Sequence, residues 1–219
     1  MRPRACLVDI GGVIFQNQWE LVARHLASLG RGRVADYQRV LERQARALDL
    51  AKVNLRSFFT KVRAETGVPI SWVPFKGLCL DTSLKPIRSN IVAVREVKRA
   101  SGARFVAVTN VGPEVANAVE KKVPLAATFD GIVRSFEVGA RKPARAFFRA
   151  ALTLAGCSPG EAFLIDDSSE NVRSARTQGI RSVEIVEPRM VPLVLSNIFV
   201  SSGRKQGMAS GRTRGDDVK

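Results

Sequence analysis

The sequence predicts an α/β fold: a parallel β-sheet covered by helices on both faces, with an all-helical segment inserted after the first strand. Three observations lead there. Short apolar runs alternate with stretches of helical periodicity in the second half of the chain. The segment 16–83 carries helical periodicity with no strand run to interrupt it. Several apolar runs end in polar or acidic residues, as strands do when their carboxyl ends line a crevice.

In chain order, Ala5–Val8 is a continuous apolar run ending in Asp9, the pattern of a strand buried on both faces. Three amphipathic faces follow. They are Trp19, Val22, Leu26 and Leu29, then Tyr37, Val40, Leu41 and Leu48, then Leu55, Phe58, Phe59 and Val62. Ile91, Val94 and Val97 recur at three-residue spacing, with Ser89 or Asn90 as N-cap and Gly102 beyond the end. Phe105–Val108 is the next strand run and ends in Thr109-Asn110. Pro113 suits the first position of a helix, and Thr128–Val133 is a weaker strand run. Phe147, Ala150, Ala151 and Leu154 share a helical face that stops at Gly156. Ser158-Pro159-Gly160-Glu161 has capping-box spacing. Phe163–Ile165 ends in Asp166-Asp167. Val172, Ala175 and Arg176 lead to a stop at Gly179, and Val183–Val186 is the last strand run. Met190 to Val200 is apolar but broken by Pro192, Ser196 and Asn197. It is too short to span a bilayer and is expected to pack on the domain.

The expected organisation is an α/β core over 1–15 and 84–200, a helical cap over 16–83, and a disordered basic tail over 201–219. The tail carries Arg204, Lys205, Arg212, Arg214 and Lys219 against Asp216 and Asp217, but most of the +15 net charge lies in the body. A basic surface attracts anions, so a phosphorylated small molecule and weak, non-specific nucleic-acid binding are the expected partners, without a membrane. Deleting the tail is expected to leave stability and activity nearly unchanged. Cys6, Cys79 and Cys157 form no CxxC pair, which argues against a zinc site or a disulfide framework. They read as reduced thiols in a cytoplasmic protein. After Met1-Arg2-Pro3-Arg4 only four apolar residues precede Asp9, too few for a signal-peptide core.

If the strands ending in Asp9, Thr109 and Asp166-Asp167 are neighbours, three carboxylates and a hydroxyl meet in one crevice. Carboxylates so placed repel unless they are protonated or bridged by a cation. An oxygen-only set, with the sole histidine His25 away in the helical segment, suits a hard ion such as Mg²⁺.

The sequence resembles the haloacid dehalogenase superfamily at four motifs in order. Asp9-Ile10-Gly11-Gly12-Val13-Ile14 is similar to motif I and Val108-Thr109-Asn110 to motif II. Gly139-Ala140-Arg141-Lys142-Pro143 is similar to the GxxKP lysine motif. Phe163 to Val172, with Ala175 and Gly179, is similar to motif IV. The resemblance implies a Rossmann-like core with a C1-type cap and a Mg²⁺-dependent phosphohydrolase. In it Asp9 is the nucleophile that forms an aspartyl-phosphate. Thr109 and the Asn110 N–H, with Gly11 and Gly12 nearby, bind the phosphoryl group, and Lys142 offsets charge. Asp9, the Gly11 carbonyl, Asp166 and Asp167 hold the metal.

Two positions depart from the family pattern. Gly11 stands where most family phosphatases carry a second aspartate, the general acid and base. Turnover is therefore expected to depend steeply on leaving-group acidity. Ala144-Arg145 follows Lys142-Pro143 where relatives often have Asp-Pro, a changed helix start. Two other readings stay open: a metal-independent 2-haloacid dehalogenase, and a non-catalytic phospholigand-binding protein. Chelation and halide release separate the first of these. Within the helical segment Trp19, Tyr37, Arg24 and His25 have the chemistry to touch a substrate, although core or surface is their plainer placement.

Overall fold

A computed structural model describes residues 2–200; the basic tail expected over 201–219 lies outside the described residues. Five parallel strands form one sheet in the order β3-β2-β1-β4-β5. They are β1 (Ala5–Asp9), β2 (Arg104–Thr109), β3 (Gly131–Arg134), β4 (Ala162–Asp166) and β5 (Arg181–Glu184). β1 is central, pairing with β2 on one side and β4 on the other. The chain builds outward through β2 and β3 and then returns to β4. This reversal opens a crevice at the carboxyl ends of the middle strands.

Alternation along each strand sends successive side chains to opposite faces, and both faces are covered. Cys6, Val8, Phe105, Ala107 and Ile165 pack under α5 (Arg88–Ser101), α6 (Pro113–Lys122) and α10 (Val191–Phe199). Ala5, Leu7, Val106, Val108 and Leu164 pack under α8 (Arg145–Ala155) and α9 (Ser169–Thr177), with the single turn α7 (Ser135–Val138) between β3 and α8. The apolar stretch near residue 195 thus joins the first layer, with Phe199 fully buried 5.3 Å from the ring of Phe105. Gly102 and Gly156 end α5 and α8 in left-handed conformation, as expected of C-terminal caps.

Residues 18–82 form a helical unit with an apolar core of its own. It contains α1 (Gln18–Leu29), α2 (Val34–Leu48), α3 (Leu55–Thr66), α4 (Trp72–Gly77) and a π-helical turn over Leu78–Thr82. Phe58, Phe59 and Phe75 fill its centre, with Trp19 5.2 Å from Phe58. Among the described residues no helix is long and apolar enough to cross a membrane. The unit's entry and exit chains run side by side. The Gln16 N–H donates to the Lys85 carbonyl at 2.9 Å, Ile87 to Ile14 at 2.8 Å, and Phe15 bridges Pro86.

Several local expectations need correcting. The last strand is Arg181–Glu184, not Val183–Val186: Ile185 is buried beyond its end and Val186 is 74% exposed. The run at Thr128–Val133 becomes strand only from Gly131, because Leu125–Ala127 is a 3₁₀ turn and Asp130 instead accepts from the Phe105 N–H. Leu29 and Leu154 are solvent-facing although their spacing put them on buried faces. Neither Ser89 nor Asn90 caps α5, whose N-cap is Ile87. Asn90 is buried inside the helix and donates to the Val13 and Pro188 carbonyls. The Ser158–Glu161 capping box exists, but it closes a single 3₁₀ turn.

Candidate active site

At the carboxyl end of β1 the chain turns tightly through Gly11-Gly12-Val13, with the Ile14 and Phe15 N–H groups both on the Ile10 carbonyl. Gly12 has φ +68°, and a Cβ built there would lie 2.0 Å from Oδ2 of Asp167. Only glycine fits: the backbone is left-handed and a carboxylate lies against it. Gly12→Ala is expected to lower stability by about 2 kcal/mol or more, a drop in Tm of roughly 5 °C, and to impair activity by displacing Asp167. A thermal melt that overlays the wild type would show that Asp167 yields freely. Gly12 is therefore a support beneath Asp167 and not part of the cavity wall, although its motif suggests substrate contact. Gly11 does line the cavity, and a Cβ there would meet nothing within 4 Å.

Asp9, Asp166 and Asp167 offer oxygens that all lie within 4.8 Å of one another. Lys142 is completely buried between the first two. Its Nζ is 2.8 Å from Asp9 Oδ1 and 2.7 Å from Asp166 Oδ2, and it donates to the Val108 carbonyl at 3.2 Å. Asp9 Oδ1 also accepts from the Ile10 N–H. Asp166 Oδ1 accepts from the Ser168 N–H and from Asn171 Nδ2, both at 2.9 Å. The loop that carries Lys142 is pinned from two sides. Asn110 exchanges two hydrogen bonds with the Lys142 backbone at 2.8 and 3.0 Å, and Ser174 donates to the Pro143 carbonyl. Asn17, the N-cap of α1, reaches Asp167 Oδ2 at 3.3 Å. The acids of the site are thus fixed both by chain neighbours, Ile10, Ser168 and Asn171, and by partners far away in sequence, Lys142 and Asn17.

The electrostatics follow from burial. Desolvation and the neighbouring Asp166 push the Asp9 carboxyl well above the usual carboxylate range, against the pull of Lys142. Asp167 is pushed up to about 6 by burial and Asp166. Burial alone would pull the Lys142 ammonium down, but Asp166 and Asp9 override it and hold its pKa above normal. The ammonium of Lys142 pairs with two of the three clustered carboxylates; with all three ionised, two negative charges would lack a counter-ion, and every donor is an oxygen. That is the charge and chemistry a divalent hard cation fits.

These groups open on a cavity of about 400 Å³. Its walls include Asp9, Gly11, Thr109, Asn110, Lys142 and Asp167, joined by Trp19 and Asp49 from the helical unit. Every residue expected at the site except Gly12 and the fully enclosed Asp166 lines this cavity. Of the other candidates in the helical unit, Tyr37 is buried, Arg24 pairs with Glu20 and His25 is exposed. Sequence reasoning missed Asn17, Asp49, Arg141 and Asn171 as site residues. The motifs contain Arg141 and Asn171, but the partners of all four are made only by folding.

The description "haloacid dehalogenase-like hydrolase" belongs to the family whose profile matches residues 3–179, most of the chain. The chain belongs to that family. Among curated proteins, this hydrolase is 40% identical over 77 residues to the drimenol cyclase drtB of Aspergillus calidoustus. The match takes in 35% of this chain but only 15% of that one. Its fold is shared with a haloacid dehalogenase family enzyme from Bacteroides thetaiotaomicron, with TM-score 0.68 and 19% identity over 84% of this chain and 94% of that one. The Bacteroides enzyme has also been solved in complex with magnesium and inorganic phosphate. The L-2-haloacid dehalogenase of Xanthobacter autotrophicus, solved with chloropropionic acid covalently bound, shares the fold at TM-score 0.61 and 14% identity, over 83% of this chain and 77% of that one.

Proposed function

We propose that this hydrolase is a Mg²⁺-dependent phosphohydrolase acting on a small phosphorylated metabolite through an aspartyl-phosphate on Asp9. The observation that carries the reading is the carboxylate pair Asp166-Asp167 set against Asp9, with one ammonium for three acids. A dehalogenase working without metal would have no use for that excess of negative charge, even though a haloacid dehalogenase shares the fold.

Asp9 attacks phosphorus while the bond to the leaving oxygen breaks. Water then hydrolyses the acyl phosphate, which frees inorganic phosphate and restores the carboxylate. Thr109 and the Asn110 N–H hold the phosphoryl oxygens. Lys142 offsets the repulsion between an anionic nucleophile and an anionic ester, already in place before the substrate arrives. Mg²⁺, held by Asp9, Asp166, Asp167 and the Gly11 carbonyl, would supply further positive charge at the phosphoryl group. The helical unit serves as the cap, closing over the leaving group. The surplus basic charge of the chain favours anionic substrates and weak, salt-sensitive contact with nucleic acid.

Removal of the metal provides the test. Excess EDTA should take phosphatase activity to background, and Mg²⁺ should restore it. In the absence of substrate Mg²⁺ should raise Tm by binding the folded state only. Full activity in chelator, or halide release from 2-chloropropionate, would overturn the reading in favour of the dehalogenase.

A further inference from the structure

Gly11 leaves the departing oxygen without a proton donor at its usual place, but the cavity has other carboxylates. Apart from Asp9 and Asp167, its walls carry Glu42, Asp49 and Glu170. Glu42 and Glu170 are exposed, while Asp49 is 3% exposed. Asp49 lies just past the last turn of α2, where its N–H donates to the Ala45 carbonyl at 2.8 Å. Its own carbonyl accepts from Ser135 Oγ at 2.6 Å, and its carboxylate meets Arg141 at 3.1 Å. Two residues later Ala51 adopts φ +53°. A non-glycine residue there costs about 1–2 kcal/mol, offset by the contacts that this turn allows. One of them seats the Leu48 carbonyl against Gly112, where a Cβ would come within 2.6 Å. Asp49 thus belongs to the helical unit by sequence but is fixed to the core beside the lysine loop.

We propose that Asp49 is the proton donor and acceptor for the leaving group, supplied by the helical insert in place of the side chain absent at Gly11; this rests on the phosphohydrolase reading. As the phosphorus–oxygen bond to the leaving group breaks, the Asp49 carboxyl gives its proton to that oxygen and the alcohol departs. In the second half, the Asp49 carboxylate takes a proton from the water whose oxygen bonds to phosphorus. The phosphorus–Asp9 oxygen bond breaks, phosphate leaves, and Asp49 is again protonated.

Two features suit the role. Burial lifts the Asp49 carboxyl up to about 6 although Arg141 and Lys142 pull it down, so a protonated fraction persists near neutral pH. Arg141 then steadies the anion that proton loss creates. Among the described residues the Nε of Arg141 is itself buried and without a hydrogen-bond partner, a donor that an oxygen of the leaving group would complete. Among the described residues, Arg141 and Lys142 of the lysine loop act on Asp49, and Asp9, Glu42, Arg46, Asp167 and Glu170 share the cavity with it. The Thr109–Gly112 loop contributes none.

The experiment compares p-nitrophenyl phosphate, whose leaving group needs no proton, with ethyl phosphate and glycerol 1-phosphate, whose leaving groups do. The whole chain is assayed with Mg²⁺. In the wild type, kcat/KM for the alkyl esters should fall as pH rises through about 6. Asp49→Asn should lose about 10²–10⁴-fold on the alkyl esters, a far smaller factor on the aryl ester, and the limb near pH 6. Equal losses on both ester types would overturn the inference, since a residue that only docks the helical unit affects both alike. Wild-type kinetics across esters of graded leaving-group pKa give a second measurement that needs no variant. A shallow dependence is expected, in place of the steep one that Gly11 alone implies, and a steep one overturns the role of Asp49. A wild type that hydrolyses neither ester sinks the phosphohydrolase reading itself.

Discussion

Asp9→Asn is expected to abolish turnover while leaving the protein folded. The amide keeps the size of the carboxylate but is a far poorer nucleophile, so the aspartyl-phosphate cannot form. Loss of one member of a group that acts as a unit commonly costs roughly 10⁴-fold or more. The fold should tolerate the change, because burial and Asp166 already disfavour the charged form of Asp9. Lys142 also retains Asp166 at 2.7 Å. The tests are steady-state turnover, labelling of the protein by radioactive phosphate ester, and a thermal melt. A variant that turns over at even a tenth of the wild-type rate would remove Asp9 from the mechanism. A collapsed melting curve would mean that the Asp9–Lys142 pair carries more of the fold than its geometry suggests.

Lys142→Met should have the largest effect on stability. Methionine fills most of the volume and removes the ammonium. Asp9 and Asp166 are then left buried without the cation they share. Breaking a buried pair by deleting one partner typically costs about 3–5 kcal/mol. The loss should depend on pH. A carboxyl whose pKa is raised in the folded protein, as that of Asp9 is, binds its proton more tightly there than in the unfolded chain. Its stabilisation is complete below the unfolded value near 4 and drains away as pH rises through the folded value. With Lys142 gone, nothing opposes that rise, so the metal-free variant should be more stable at pH 5 than at pH 8, and by a wider margin than the wild type. Urea melts at the two pH values measure the difference. Equal midpoints would show that the carboxylates find solvent once the lysine is removed.

How much of this was legible beforehand depends on how each element earns its burial. β1, β2 and β4 are covered on both faces, so they appear as unbroken apolar runs, and the acids at their ends stand out. β3 and β5 are edge strands of four residues, and β5 mixes Arg181, Ser182 and Glu184 with one valine. Apolar residues just beyond it drew the expectation two positions too far. Leu29 and Leu154 satisfy helical spacing but sit near helix ends, where the covering layer runs out. Asp9, Thr109, Asp166 and Asp167 are brought together by strand order, which the alternation of elements implies. Asp49 is not. Its partner Arg141 is 92 residues away, and its burial depends on how a separate helical unit leans on the core. No spacing rule reports such a contact.

The two chains that enter and leave the helical unit are stitched to each other at Gln16–Lys85, Phe15–Pro86 and Ile14–Ile87. The unit is therefore joined to the core by a single pair of adjacent chains, brings its own apolar core, and meets the sheet domain again at Asp49 and Leu48. An insertion of that kind is close to a closed loop seen from the sheet, whose folding need not wait for it and whose strand order is indifferent to its length. Descendants of such a chain can trade one insert for another, or lengthen it, while the carboxylate site at the strand ends stays as it was. In this protein the trade carries a condition. With Asp49 in its proposed role, an insert that brings it cannot be exchanged as freely as one that merely shelters the crevice, and a lineage that lost it would be pressed to recover an acid elsewhere, for which the open space beside Gly11 leaves room.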